Sequence, residues 1–151
     1  MAYVKLLENQ SSLRAAYLVD AAVGRGCPNR KDDVYLVQFL LNALWGKTSD
    51  GTVIGGDGPA PAIDGICGAR TVNAILVFQK WYWRVTPGGF TDGRVEPLPP
   101  GRSVGLRHNN PYTIIGLNAN FGVVFGIERH AVICKEPNFP SELKQKLFIS
   151  N

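Results

Sequence analysis

The chain has 151 residues, with 16 Lys and Arg against 12 Asp and Glu (16 − 12 = +4), 45% apolar and 19% charged. That balance excludes a disordered chain and, at this length, fits one domain that folds without covalent staples. The surplus charge is scattered rather than clustered, so it does not point to nucleic acid, and 17 Gly with 10 Pro argue for a loop-rich protein over a simple long-helix bundle.

Residues 3–23 mix two periodicities and read as strand or as an extended packing arm. Gly24, Gly26 and Pro28 then make a turn-rich stretch. From Asp32 to Trp45, Val34, Val37, Leu40, Leu41 and Leu44 recur at three- and four-residue steps, which predicts a helix. Asp32 and Asp33 are expected at its N-cap and first turn, and Gly46 as the left-handed residue that ends it. Residues 46–62 hold five Gly and two Pro and read as a long loop. A second helix is expected over about Ala69–Trp83, apolar around more than half of its circumference and therefore central. Pro87, Gly88 and Gly89 stop it.

Residues 92–111 are again turn-rich. Pro111 opens a third helical pattern through Ile114, Leu117 and Phe121, weakened by Gly116. The β-branched runs Val123–Ile127 and His130–Cys134 read as strand or packed coil. Pro140, Ser141 and Glu142 begin a short amphipathic helix expected to turn Leu143, Leu147 and Phe148 inward.

Three widely spaced cysteines, Cys27, Cys67 and Cys134, suggest buried free thiols rather than a disulfide framework. No CxxC pair supports a zinc site, so no metal and no cofactor are expected. The N-terminus lacks the pattern of a secretory signal, and no apolar run is long enough to cross a membrane, so no membrane partner is expected. Enzyme signatures are poor. His130 and Cys134 are four apart, but the apolar setting favours an inert cysteine, and no other nucleophile, metal or phosphate motif is present. The chain is therefore not expected to be an enzyme.

One local echo carries more. Asp64-Gly65, Gly68, Thr71, Ala74-Ile75 and Phe78-Gln79 form the pattern DGxxGxxTxxAIxxFQ. Upstream stand Asp33-Val34, Val37-Gln38 and Leu40-Leu41-Asn42. Downstream stand Asp92-Gly93-Arg94-Val95, then Thr113, Leu117 and Asn118. Together these resemble the peptidoglycan-binding-like domain family, a small three-helix cell-wall-binding module, over about residues 24–121. The chain departs from that pattern in its long Gly-rich loop before Asp64, in Cys27 and Cys67, in the stretch between Val95 and Thr113, and in about 30 further residues at the end.

In physical terms each Asp-Gly is a tight turn, with the Asp side chain bonding backbone two residues on and Gly free to take positive φ. Gly68 is expected to let that turn approach the next helix. Gln38 and Gln79 are polar residues on apolar faces, each expected to satisfy a loop's backbone.

The resemblance implies a mainly-α fold, a three-helix bundle at 24–121; outside it, the residues read as an N-terminal arm at 1–23 and a C-terminal extension at 122–151 with short strands and a short helix. It implies a non-catalytic module for peptidoglycan fragments, made in the bacterial cytoplasm and acting at the periplasm or cell wall, on its own or with a separate wall-active effector. The alternative is an interaction, accessory or cargo protein of a type VI-like secretion system. Aromatic faces suit sugars and guanidinium groups suit the carboxylates of stem peptides. On that basis the candidate ligand residues are Trp81, Trp83, Arg70, Arg84 and Arg94. Consecutive residues on a helix point about 100° apart, so Trp81, Tyr82 and Trp83 do not all share one buried face.

Overall fold

The computed structural model describes residues 1–7, 15–101 and 110–150, the side chains of 148–150 excepted. The mixed periodicity of the first segment resolves into strands: β1 (Tyr3–Leu6), β2 (Ala15–Leu18) and β3 (Val23–Gly24). β1 and β2 pair antiparallel with Tyr3 opposite Leu18. β2 is buried along its whole length.

α1 (Lys31–Leu44) follows the predicted stripe. Both acids stand in its first turn as expected, but its N-cap is Arg30 with no side-chain cap bond, which corrects the capping part of the expectation. Asp33 is buried instead, and its carboxylate accepts the backbone N–H groups of Asp20 (3.0 Å) and Ala21 (3.2 Å), fastening the chain after β2 to the helix. Asp32 meets Lys146 at 3.3 Å. Gly46, at φ 73°, follows the Trp45 C-cap as expected.

The Gly-rich loop is more ordered than its composition suggests. It contains a hairpin, β4 (Thr48–Ser49) with β5 (Thr52–Val53). Its two-residue turn is Asp50-Gly51, both at positive φ, the pairing that two-residue hairpins favour. Two indoles fasten the loop. Trp45 Nε1 donates to Gly58 O (2.8 Å), and Trp81 Nε1 donates to Thr52 Oγ1 (2.8 Å).

α2 (Ala69–Val85) is followed by β6 (Arg94–Val95), which pairs antiparallel with β3. The two backbones meet so closely that a Cβ on Gly24 would lie 2.1 Å from Gly93 O. Gly68 makes no such approach, since a Cβ there would meet nothing within 4 Å. It is the N-cap of α2 in an extended conformation.

α3 (Thr113–Phe125) and α4 (Ile127–Ala131) are separated only by Gly126, at φ 95°. A 3-10 turn covers Ile133–Lys135. The stretches 123–127 and 130–134 are therefore not strands. Packing of Ile114, Leu117 and Phe121 anchors α3, which runs on through Val123 and Val124 against their intrinsic preference, while Gly126 and Val132 break the helix on either side of α4. α5 (Ser141–Lys144) buries Leu143 and leaves Leu147 half-buried. Phe148 falls not in that helix but in β7 (Phe148–Ser150), which adds parallel to β1 and gives the sheet order β2-β1-β7.

Five helices and three small sheets thus make up the described residues, about 42% helical and 12% strand, a mixed rather than purely helical fold. α1 packs on both α2 and α3. Residues of the N-terminal strands, the helices and the C-terminal segment share one apolar cluster that runs from Ala2 and Leu18 through Leu40 and Phe78 to Phe139 and Leu143. The turn-rich reading of residues 102–109 lies outside the described residues.

Candidate functional site

Helix α2 is held by the same device at both ends. From α1, Gln38 reaches the Asp64-Gly65 turn. Its Oε1 accepts the N–H groups of Asp64 (3.0 Å) and Gly65 (2.8 Å). Its Nε2 donates to Asp64 Oδ1 (2.9 Å), Ile66 O (3.0 Å) and Thr71 Oγ1 (3.0 Å). From α2, Gln79 repeats this on the next turn. Its Oε1 accepts Gly93 N–H (2.8 Å), and its Nε2 donates to Asp92 Oδ1 (3.1 Å), Arg94 O (2.8 Å) and Thr113 Oγ1 (3.0 Å).

Within each turn the Asp carboxylate also accepts the N–H two residues on, at Ile66 (2.9 Å) and Arg94 (3.0 Å). Gly65 and Gly93 sit at φ 75° and 74°. The hydrogen bonds to Asp64 hold its carboxyl below the usual carboxylate range. Each clamp joins one helix, one turn and the first turn of the next helix. All of their polar contacts point inward, so the expected loop-satisfying role of the two glutamines is what the geometry provides.

The clamps bury one side of α2 and leave the other open. Thr71, Ala74, Ile75, Phe78, Gln79, Trp81 and Tyr82 are buried. Ala69, Asn73, Lys80 and Trp83 are exposed, and Leu76 lies half-buried among them at the spacing of one helical stripe. Arg70 and Arg84 flank it, both exposed. At 1.5 Å per residue the face extends about 21 Å from Ala69 to Trp83. The helix contains no Asp or Glu. Among the described residues, none of Arg70, Lys80, Arg84 and Arg94 forms an ion pair, whereas Arg30 and Arg129 each hold a carboxylate.

At the N-terminal end of this face lies a shallow groove of about 210 Å³, lined by Arg25, Ala69, Val72, Asn73 and Leu76. Two turns border it. The 24–26 turn contributes Arg25, and a Cβ on Gly93 would meet Val72 and Leu76 at 3.3 Å, which places the Asp92-Gly93 turn against the groove floor. The Arg94 side chain folds back over Gly26, with Nη2 3.7 Å from where that residue's Cβ would be.

The candidate ligand residues therefore separate. Trp83, 49% exposed, and Arg70, Arg84 and Arg94 reach the surface. Trp81 does not. It is 6% exposed, its ring packs against Phe78, and its N–H is engaged under the hairpin, so its face is closed to a ligand. Sequence reasoning missed Arg25 and Asn73. Arg25 stands in a turn of no distinctive pattern, and Asn73 is a neutral residue in a helix read for its apolar stripe.

The His130–Cys134 pair is not an assembled dyad. His130 is fully buried, with its ring edge against Tyr17 and Phe121. Asn118 spends both amide protons on Tyr17 O and Ile114 O (2.8 Å each), so its Oδ1 is the acceptor for Tyr17 N–H (2.8 Å) and for His130 Nε2–H (3.0 Å). Among the described residues His130 Nδ1 has no hydrogen-bond partner, and burial pushes the pKa down to about 4. Burial also pushes Tyr17 up to about 12, with Cys134 beside it. The three thiols are free and half-buried rather than fully buried. Among the described residues, no three His, Cys, Asp or Glu side chains come together as a metal site, and no helix is long and apolar enough to cross a membrane.

Compared with models of protein families, with curated proteins and with solved structures, the chain matches none.

Proposed function

We propose that this protein is a non-catalytic module that holds bacterial cell-wall peptidoglycan against the exposed face of α2. The ordered pattern from Asp33 to Asn118 suggests a peptidoglycan-binding-like three-helix unit formed by α1, α2 and α3 and elaborated by the hairpin and the terminal strands. The observation that carries the functional reading is the α2 face itself. Three cations, no acid and one open indole lie along about 21 Å of rigid helix. An indole face suits the C–H surface of a sugar, and unpaired guanidinium groups suit stem-peptide carboxylates. A rigid, pre-positioned face also limits the entropy lost on binding. The chain acts at the periplasm or cell wall, alone or by bringing a separate effector to its substrate.

Retention on purified insoluble peptidoglycan tests this. The wild type is retained at low salt, and Trp83→Ala or Arg84→Ala weakens retention by about tenfold, in line with one lost stacking or charge-assisted contact. Absence of retention at low salt contradicts the proposal.

A second reading has its own observation. Val123, Ile127 and Val132 are exposed apolar residues at the α3–α4 end of the molecule. On that reading the chain is an accessory or cargo protein of a type VI-like secretion system, and a defined complex on purification from the native bacterium would favour it.

A further inference from the structure

The groove at the start of α2 has a chemistry of its own, and it deepens the wall-binding reading on which it rests. Its walls are of two kinds. Ala69, Val72 and Leu76 offer an apolar floor, and Asn73 and Arg25 offer polar groups at its rim. Asn73 makes no side-chain hydrogen bond among the described residues, and Arg25 makes no ion pair there. Asp92 and Glu96 stand near the same end, where both act on Cys27 alongside Arg94, but among the described residues neither forms an ion pair with Arg25 or Arg94. Asp92 accepts from Gln79 and from the Arg94 N–H, and α2 itself contributes no carboxylate. Arg94 Nη2 lies over Gly26, the neighbour of Arg25, and so adds a second guanidinium to the same end.

At about 210 Å³ the groove is smaller than sites that enclose a drug-sized ligand, so it suits the end of a chain rather than a whole one. A small apolar side chain fits its floor, a backbone amide fits Asn73, and a terminal carboxylate fits a guanidinium fork.

We infer that this groove is a subsite for the free carboxyl terminus of a short peptide with small apolar side chains. Arg25, assisted by Arg94, holds the carboxylate, Asn73 holds the preceding amide, and Val72 with Leu76 receive the side chain. Within peptidoglycan this is the end of an uncrosslinked stem peptide. The α2 face beyond Asn73 then runs toward the glycan, with Trp83 at its far end.

The test is a titration followed by NMR, with N-acetyl-D-alanyl-D-alanine as the probe and its C-terminal amide as the control. The free acid is expected to shift the signals of Val72, Asn73 and Leu76 saturably. The amide is expected to bind about tenfold more weakly, as is the free acid with Arg25→Gln, while Lys144→Gln binds like wild type. Equal binding of acid and amide, shifts confined to other surfaces, or an unaffected Arg25→Gln variant overturns the inference. Retention on insoluble peptidoglycan without any dipeptide shift removes this subsite but leaves the wall-binding reading. Dipeptide binding at the groove without retention supports the subsite and removes that reading.

Discussion

Gln79 reaches four partners from a single buried side chain: its Oε1 accepts from Gly93 N–H, and its Nε2 protons are shared among Asp92, Arg94 O and Thr113. Gln79→Ala should remove the partner of the buried Gly93 N–H and of the buried Thr113 hydroxyl at once. The expected loss is about 2–4 kcal/mol in a urea titration, and a loss under about 0.5 kcal/mol would show that water replaces the clamp. Gly116 is a second informative position. Its presence weakens the helical pattern in the sequence, yet in the fold it is where the Tyr82 ring lies, 2.8 Å from where a Cβ would stand. Gly116→Ala therefore has a helix-propensity gain of about 1 kcal/mol against a steric cost of about 1–3 kcal/mol. A net destabilisation is expected in the same titration, and a more stable variant would contradict the packing described.

His130 supplies the pH dependence. Its folded pKa is about 4 against an ordinary value of 6.5, so the unfolded chain takes up the proton first. Its contribution is complete above the unfolded value and is lost as pH falls from there toward the folded one. Between about pH 7.5 and about pH 5 the wild type should lose roughly 2 kcal/mol more stability than His130→Gln. Taking the difference between the two separates the histidine from carboxylates such as Asp33, whose raised pKa acts in the opposite direction. Identical pH profiles for the two proteins would contradict a neutral buried imidazole.

At the scale of elements, what the sequence made legible was whatever rests on local spacing. The α1 and α2 stripes, the two Asp-Gly turns and the start of α3 follow from periodicity and turn chemistry between near neighbours. The misreadings share one cause, which is distance along the chain. The strand β1 has partners at residues 15–18 and 148–150, and no local pattern announces the second. Residues 123–134 are β-branched enough to suggest strands, yet the Phe125 and His130 rings at the ends of α3 and α4 both pack on Phe121, a contact that local pattern does not announce. Asp33 looks like a helix cap, but its partners at Asp20 and Ala21 precede the helix by more than a turn. The hairpin at 48–53 was legible in principle from Asp50-Gly51. Its anchor at Trp81 was not, because that bond spans 29 residues. Trp81→Phe, which keeps the ring and removes the donor, should therefore loosen the hairpin. Faster amide hydrogen exchange at Gly46 and Ile54 would show it, and unchanged exchange would contradict the anchoring role.

For the whole molecule, the arrangement divides labour between faces. The terminal strands, α1 and α3 build the interior. The glutamine clamps fix α2 at both ends, and the unburied side of α2 gathers Arg70, Asn73, Lys80, Trp83 and Arg84 beside the Arg25 groove. The candidate site was legible as a set of residue types, aromatic and basic, around the second helix. Which of two neighbouring tryptophans faces outward was decided by the hairpin, a tertiary contact. The modest net charge says little about partners, because what matters is where the unpaired cations stand.

The most direct test of wall recognition by α2 compares two double variants with the same change in net charge. Lys80→Glu/Arg84→Glu reverses the α2 face, and Lys135→Glu/Lys144→Glu reverses exposed cations elsewhere. In binding isotherms on purified insoluble peptidoglycan, the first should lose at least about tenfold in affinity, while the second stays within about twofold of wild type. Equal losses in both variants would show a non-specific charge effect and contradict recognition by α2.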